Sequence, residues 1–264
     1  MIFDTHCHLN DEKLLQNVDE IIENAHKVGV NRFLVVGWDK ESSLTAIKLA
    51  EQYEGVYAAI GFHPENIFDA TYEDFEETMK YINHPKVVAV GEIGLDYHWT
   101  KDSIKRELQK EWFIKQIDFA NEHHKPISIH NREAFLDCLQ ILKEHRPLYS
   151  GVMHCYSGSV ELLKDVLDLG LYIGLDGPLT FLNAKTPKEV CEVVPLERLL
   201  VETDCPYLSP HPLRGTVNKP KNIVLITDEI TRIKGLSKKH ILDVIYENSN
   251  RLFGLEWNTI WTKF

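Results

Sequence analysis

Short apolar runs rich in Val, Ile, Leu and Ala recur along the chain at residues 2–4, 32–36, 57–60, 87–90, 127–129, 151–153, 171–173 and 199–201. Runs of this length, flanked by turn-forming residues, read as buried strands rather than helices. Between them the apolar positions take helical spacing. Leu14, Leu15, Val18, Ile21, Ile22, Ala25 and Val28 share one face, and Gly29 stands where a C-terminal cap belongs. Similar stretches run through 104–123, 132–144, 160–169 and 222–233, and 237–253 reads as closing helices. Strands that alternate with helices pair in parallel through crossovers. Eight such units in a chain of 264 residues predict a single (β/α)8 barrel, one domain spanning 1–264. A doubly wound open sheet is the alternative. No GxGxxG follows the first strand, and neither a Pro/Gly/Ser-rich linker nor a fixed-period repeat divides the chain.

Composition adds that a packed enzyme-sized core is expected: hydrophobic residues make up 44% and charged residues 26%. The opening MIFDTHCHLN lacks a basic segment followed by an apolar one, and no run approaches the roughly 18 apolar residues of a membrane span. A cytoplasmic protein without membrane attachment is expected. Cys7, Cys138, Cys155, Cys191 and Cys205 form no CxxC pair and are odd in number, which predicts reduced thiols rather than disulfides or a zinc–cysteine site. The formal net charge of -11 repels phosphate backbones at long range. Nucleic acid could bind only through a local positive field, such as bound divalent ions supply.

The candidate chemistry lies where strands end. His6 and His8 follow the first strand, Glu92 the fourth, His130 the fifth, His154 the sixth and Asp204 the eighth. In a barrel all these ends lie on one face, the face that carries active sites. Strand alternation puts His6 and His8 on the same side and turns Cys7 to the helix layer. Cys155 and Cys205 are expected to be small buried hydrophobes behind the site. Four imidazoles and two carboxylates suit Zn, Mn, Co, Fe or Mg. Six ligands exceed what one tetrahedral ion needs, so two divalent metal ions bridged by Glu92 are expected, with Asp204 also able to accept the proton of a metal-activated water. His26, His84, His123, His124, His145 and His240 fall on helical or connecting segments and receive no chemistry.

The motifs DTHCHLN at 4–10, GFHP at 61–64, GEIGLDY at 91–97, HNREA at 130–134, HCYSG at 154–158, DGPLTF at 176–181, ETDCPYLSP at 202–210 and RGTVNKP at 214–220 run over nearly the whole chain. With them the sequence resembles the TatD family of metal-dependent deoxyribonucleases, within the wider amidohydrolase superfamily. The resemblance implies a (β/α)8 fold, two divalent ions and hydrolysis of phosphodiester bonds in DNA, expected as a 3′–5′ exonuclease on single-stranded ends. It places His6, His8, Glu92 and Asp204 on one metal and Glu92, His130 and His154 on the other. Where the family often has Asn-Glu-Pro, this chain has Asn218, Lys219 and Pro220.

Around this set, His63 lies in the loop after the third strand, where it either contacts a phosphate oxygen, protonates the leaving group, or shapes the turn with Pro64. Arg132 is either a phosphate clamp or half of a helix-surface ion pair. Tyr156 and Ser157 can lend hydroxyls to substrate, although Ser157 and Ser159 suit a helix cap better. Asp4 and Glu202, each two residues before a ligand, are expected to face the interior and orient an imidazole or pair with a cation. Lys101, Lys105, Arg106 and Lys110, preceded by Tyr97, His98 and Trp99, form a mixed stretch in which a solvated helix face is favoured over a DNA grip. Arg214, Lys219 and Lys221, on the last active-face loop, are the better candidates for DNA. No obligate protein partner is evident. Two other functions fit parts of the pattern. One is hydrolysis of a cyclic amide, lactone or phosphotriester, against which stands the lack of a lysine for carboxylation in the fourth strand. The other is a non-catalytic scaffold, against which stands the complete ligand set.

Overall fold

The structure is a computed structural model that describes residues 1–255; the end of the expected 1–264 domain, 256–264, lies outside the described residues. Eight parallel strands follow one another around one sheet in chain order. They are β1 (Ile2–Cys7), β2 (Val30–Val36), β3 (Val56–Ile60), β4 (Val87–Asp96), β5 (Ile127–Arg132), β6 (Gly151–Met153), β7 (Tyr172–Leu175) and β8 (Leu199–Val201). The helices are α1 (Glu12–Leu15), α2 (Val18–His26), α3 (Lys40–Gln52), α4 (Tyr72–Met79), α5 (Ser103–Glu122), α6 (Phe135–Glu144), α7 (Val160–Asp168), α8 (Thr186–Val193), α9 (Ile223–Lys234) and α10 (Lys238–Leu252). The seam between β8 and β1 is closed by the bonds Thr5 Oγ1 to Val201 O (3.1 Å), Asp204 N to His6 O (2.9 Å) and His8 N to Cys205 O (2.8 Å). This is the predicted (β/α)8 barrel.

Two apolar layers hold it. The larger lies between sheet and helices, where Ile60, Phe62, Phe113, Ile117 and Ile226 pack out of contact with water. The smaller lies inside the barrel with Phe3, Leu34, Val36, Val88 and Leu200, and Leu252 of α10 and Phe253 just after it pack against them. Each such side chain contributes about 1.5–3 kcal/mol on burial. With the bottom packed shut, the strands present the candidate ligands at the opposite, C-terminal end.

Several boundaries differ from the sequence reading. The apolar face 14–28 is broken at Gln16 and Asn17 into α1 and α2. β4 does not stop at Val90 but continues to Asp96, so Glu92 lies within the strand. β5 continues through His130 to Arg132, and the helix expected from 132 starts only at Phe135. Gly94 permits the longer β4. It has φ +149°, and a Cβ there would stand 1.9 Å from the His130 carbonyl oxygen, so any side chain would force β4 away from β5.

Candidate metal centre

At the C-terminal end of the barrel β1 delivers His6, with His8 just beyond its last residue, β4 delivers Glu92, β5 His130, and the segments after β6 and β8 deliver His154 and Asp204. The six donors form two groups joined by Glu92. On one side, His6 Nε2 lies 3.3 Å from His8 Nε2 and 3.8 Å from Asp204 Oδ1, and His8 Nε2 lies 3.4 Å from Asp204 Oδ1. Glu92 Oε2 completes this group at 3.4 Å from His6 and 3.7 Å from His8. On the other side, Glu92 Oε1 lies 2.8 Å from His130 Nδ1 and 2.9 Å from His154 Nε2, which are 3.3 Å from each other. Ligands about 2.0–2.1 Å from a tetrahedral ion are separated by about 3.3–3.4 Å along each edge. The donor set and its spacing therefore fit small divalent cations.

Neighbouring groups fix which nitrogen each imidazole presents. His8 Nδ1 donates to the Val36 carbonyl at 3.1 Å, which leaves the Nε2 lone pair facing the cluster. His130 is reversed: its Nε2 lies 3.1 Å from Asp96 Oδ2, so Nδ1 faces Glu92. His6 Nδ1 sits 3.2 Å from the Ser128 hydroxyl. Asp96 was not among the sequence candidates. Its signal was available, since it lies four residues after Glu92 in a strand and so shares the inward face.

Burial, together with the charge of His154, lowers His6 to about 4, and burial with the charge of His130 lowers His63 to about 3, so both are neutral at pH 7. Burial alone would lower His130 too, but hydrogen bonds to Asp96 and Glu92 override it and raise this imidazole to about 9. Burial pushes Glu92 up, yet the electrostatic influence of the surrounding imidazoles, His154 first, and the His130 hydrogen bond hold it well below the carboxylate range. Asp204 behaves likewise: the effect of burial is outweighed by the His8 hydrogen bond and the nearby imidazoles. The carboxylates are ionised, as cation binding requires.

A cleft of about 650 Å³ opens onto the cluster, lined by His8, His63, Glu92, Asp96, His130 and Arg132 with Trp38, Trp99 and Tyr207 on its rim. His63 joins the centre more closely than its loop position suggested, with Nε2 3.8 Å from Glu92 Oε1. Arg132 is a cleft residue at the end of β5 and not the helix-surface residue considered as its alternative. Tyr156 does not line the cleft: it is buried and its hydroxyl donates to the Ser159 carbonyl at 3.0 Å. Arg214 lies outside the cleft lining, with its guanidinium 4.1 Å from the Phe181 ring centroid. Lys101 and Lys110 form ion pairs with Glu133 (3.3 Å) and Asp137 (2.8 Å), and Arg106 donates to the Thr100 carbonyl (2.9 Å).

Behind the donors, Glu202 Oε1 accepts from the Cys155 backbone N–H at 2.6 Å and stands 3.7 Å from His154 Nδ1. Asp4 orients no imidazole. Its carboxylate accepts from Thr203 N (2.9 Å) and Thr203 Oγ1 (2.6 Å), tying β1 to the chain beyond β8. Asp4 is buried, and burial raises it to about 7. Cys7 donates to the Leu34 carbonyl at 3.3 Å and belongs to the outer layer, as alternation predicts.

A (β/α)8 barrel with a cation-ready cluster of His and carboxylate groups at its strand ends defines the class of metal-dependent hydrolase barrels. The chain belongs to the TatD-related DNase family, whose model matches residues 3–254. It is 44% identical over 254 residues to the uncharacterized metal-dependent hydrolase YabD of Bacillus subtilis, covering 96% of this chain and 99% of the relative. It is 36% identical to the uncharacterized metal-dependent hydrolase YcfH of Escherichia coli, with 97% and 96% covered. The crystal structure of YjjV, a TatD homologue from Escherichia coli, superposes with a TM-score of 0.92 at 28% identity, covering 97% of this chain and 98% of that one. Among the described residues no helix is long and apolar enough to cross a membrane.

Proposed function

We propose that this protein is a metal-dependent deoxyribonuclease that hydrolyses phosphodiester bonds in DNA, acting as a 3′–5′ exonuclease. Two divalent cations would be held by His6, His8 and Asp204 on one side and by His130 and His154 on the other, with Glu92 between. The observation that carries this reading is the division of the Glu92 carboxylate, with Oε2 facing His6 and His8 and Oε1 facing His130 and His154. When bound, such a pair of cations supplies Lewis acidity and a water activated at neutral pH, the chemistry that in-line displacement at phosphorus needs.

The chain's own groups do the rest. Asp204 directs Oδ1 at the imidazoles, which leaves Oδ2 to take the proton of the attacking water. His63 Nδ1 accepts from the Glu65 backbone N–H at 3.2 Å, so the proton of this neutral imidazole sits on Nε2. From there it donates a hydrogen bond to a phosphoryl oxygen. Protonation of the leaving group is the weaker of its two expected roles, because an imidazole held at about 3 is not an acid at pH 7. Arg132 meets a phosphate charge at the cleft mouth.

Asp96 holds His130 in the reversed orientation, so Asp96→Ala is expected to weaken cation binding about 10- to 100-fold. Calorimetric titration of the metal-free protein checks this; unchanged affinity means that His130 needs no such support. The function itself is tested by supplementing the protein with single divalent ions and offering single-stranded DNA, abasic DNA and a small phosphodiester, with chelator as control. Metal-dependent DNA cleavage supports the reading, and activity confined to amides, lactones or phosphotriesters overturns it.

A further inference from the structure

Trp99 presents a large aromatic ring to solvent, 66% exposed, at the rim of the cleft that opens onto the metal centre. It is nevertheless held in register with the metal centre. Asp96 Oδ1 accepts from the backbone N–H groups of His98 (2.9 Å) and Trp99 (3.1 Å), while Oδ2 of the same carboxylate contacts His130. The His98 ring packs edge-on to the indole at 4.6 Å. Across the mouth, Arg132 lies two residues beyond His130 on the same face of β5, with its guanidinium 5.6 Å from the indole centroid. Among the described residues no hydrogen bond or ion pair engages that guanidinium, and Arg132 is the one Lys or Arg side chain lining the cleft. The nearby cations are committed elsewhere, Lys101 to Glu133 and Arg106 to the Thr100 carbonyl.

We propose that Trp99 and Arg132 form a single nucleotide subsite next to the metal centre. The indole stacks the base of the nucleotide adjoining the scissile phosphodiester, and the guanidinium holds that nucleotide's other phosphate. This rests on the phosphodiesterase reading above. A guanidinium lying over an indole keeps its in-plane N–H groups free, so it can grip a phosphate without leaving the ring. A base on the ring's open side completes a layered stack. Every base has a π-face, so the subsite is indifferent to sequence. It is not indifferent to strandedness, because only an unpaired base can swing out onto Trp99. Preference for single strands is therefore placed on one exposed ring rather than on the width of the cleft.

The test uses the metal-loaded full chain and single-stranded hexanucleotides in which one abasic residue, or one neutral methylphosphonate linkage, is walked along the strand. Trp99→Ala is expected to lower kcat/KM on the unmodified strand roughly 10- to 100-fold, with Trp99→Phe recovering part of the loss. That loss disappears when the abasic residue occupies the subsite. The loss caused by Arg132→Ala disappears instead when the methylphosphonate replaces the neighbouring linkage. Losses equal on modified and unmodified strands at every position overturn the subsite, since a merely structural role for either side chain does not depend on which base or charge is missing. A wild-type protein that cleaves neither the strands nor methyl p-nitrophenyl phosphate with any divalent ion overturns the phosphodiesterase reading instead.

Discussion

Glu92→Gln is expected to empty the metal centre on both sides at once. The wild-type carboxylate gives one oxygen to each donor group, and removal of its charge leaves His6 and His8 with Asp204, and His130 with His154, each group short of an anionic ligand. Gln is close in shape, and the site is 4% exposed, so the barrel should fold around it. The amide nitrogen, however, cannot accept, and wherever it points it turns a donor toward a lone pair that a cation should occupy. Turnover on DNA should fall by about 10³-fold or more, in line with the loss of a group on which two-metal charge stabilisation depends. Metal content after dialysis, measured by atomic emission, should fall below one equivalent. A His8 or His154 variant should retain the ion on the opposite side. A Glu92→Gln protein that keeps two ions and the wild-type rate would show that the carboxylate does not bridge.

The same residue illustrates what the sequence disclosed and what it hid. The barrel was legible because parallel strands are buried on both faces and read as short continuous apolar runs, which β2, β3, β6 and β8 retain almost unaltered. The site was legible because residues at strand ends converge on one face whatever their separation in sequence. What failed was the continuation of strands into the polar half of the barrel. β4 runs on through Gly91, Glu92, Gly94 and Asp96, where glycine and carboxylate erase the apolar signal although the backbone pairing with β5 persists to Asp96 and Arg132. A β4 that ends at Val90 leaves Asp96 outside the inward-facing set, and a β5 that ends at Ile129 puts Arg132 on a helix. Tyr156 erred in the other direction: a hydroxyl next to a candidate ligand looked available, but the chain turns after His154, where Cys155 has φ 43°, and the ring is buried against Phe135. Side-chain direction beyond a strand end depends on such local turns, which periodicity does not encode.

Asp204→Asn separates holding a cation from moving a proton. Asp204 occupies the left-handed region at φ 54°, a conformation that Asn adopts more readily than most residues, so the backbone of the loop after β8 should be preserved. The amide oxygen can still face His6 and His8 as Oδ1 does now, at 3.8 and 3.4 Å in the parent chain. What disappears is the second anionic oxygen. Loss of a positioned general base costs about 10²- to 10⁴-fold in rate, and that loss is expected in kcat with both ions still bound. The sign of its pH dependence follows from the ionisation of the parent residue. Asp204 lies below the ordinary carboxylate range, because the His8 hydrogen bond and neighbouring imidazoles outweigh burial. It is fully ionised well below neutrality, so the ratio of wild-type to variant rates should be flat between about pH 6 and 8. A ratio that rises with pH across that window would show that Asp204 titrates there and is not held below the carboxylate range, and a variant with both ions and wild-type kcat would remove Asp204 from proton transfer altogether. If the ion on the His6 and His8 side is lost completely while the other stays, the charge of Asp204 serves chiefly to bind, and the proton acceptor must be sought elsewhere in the cleft.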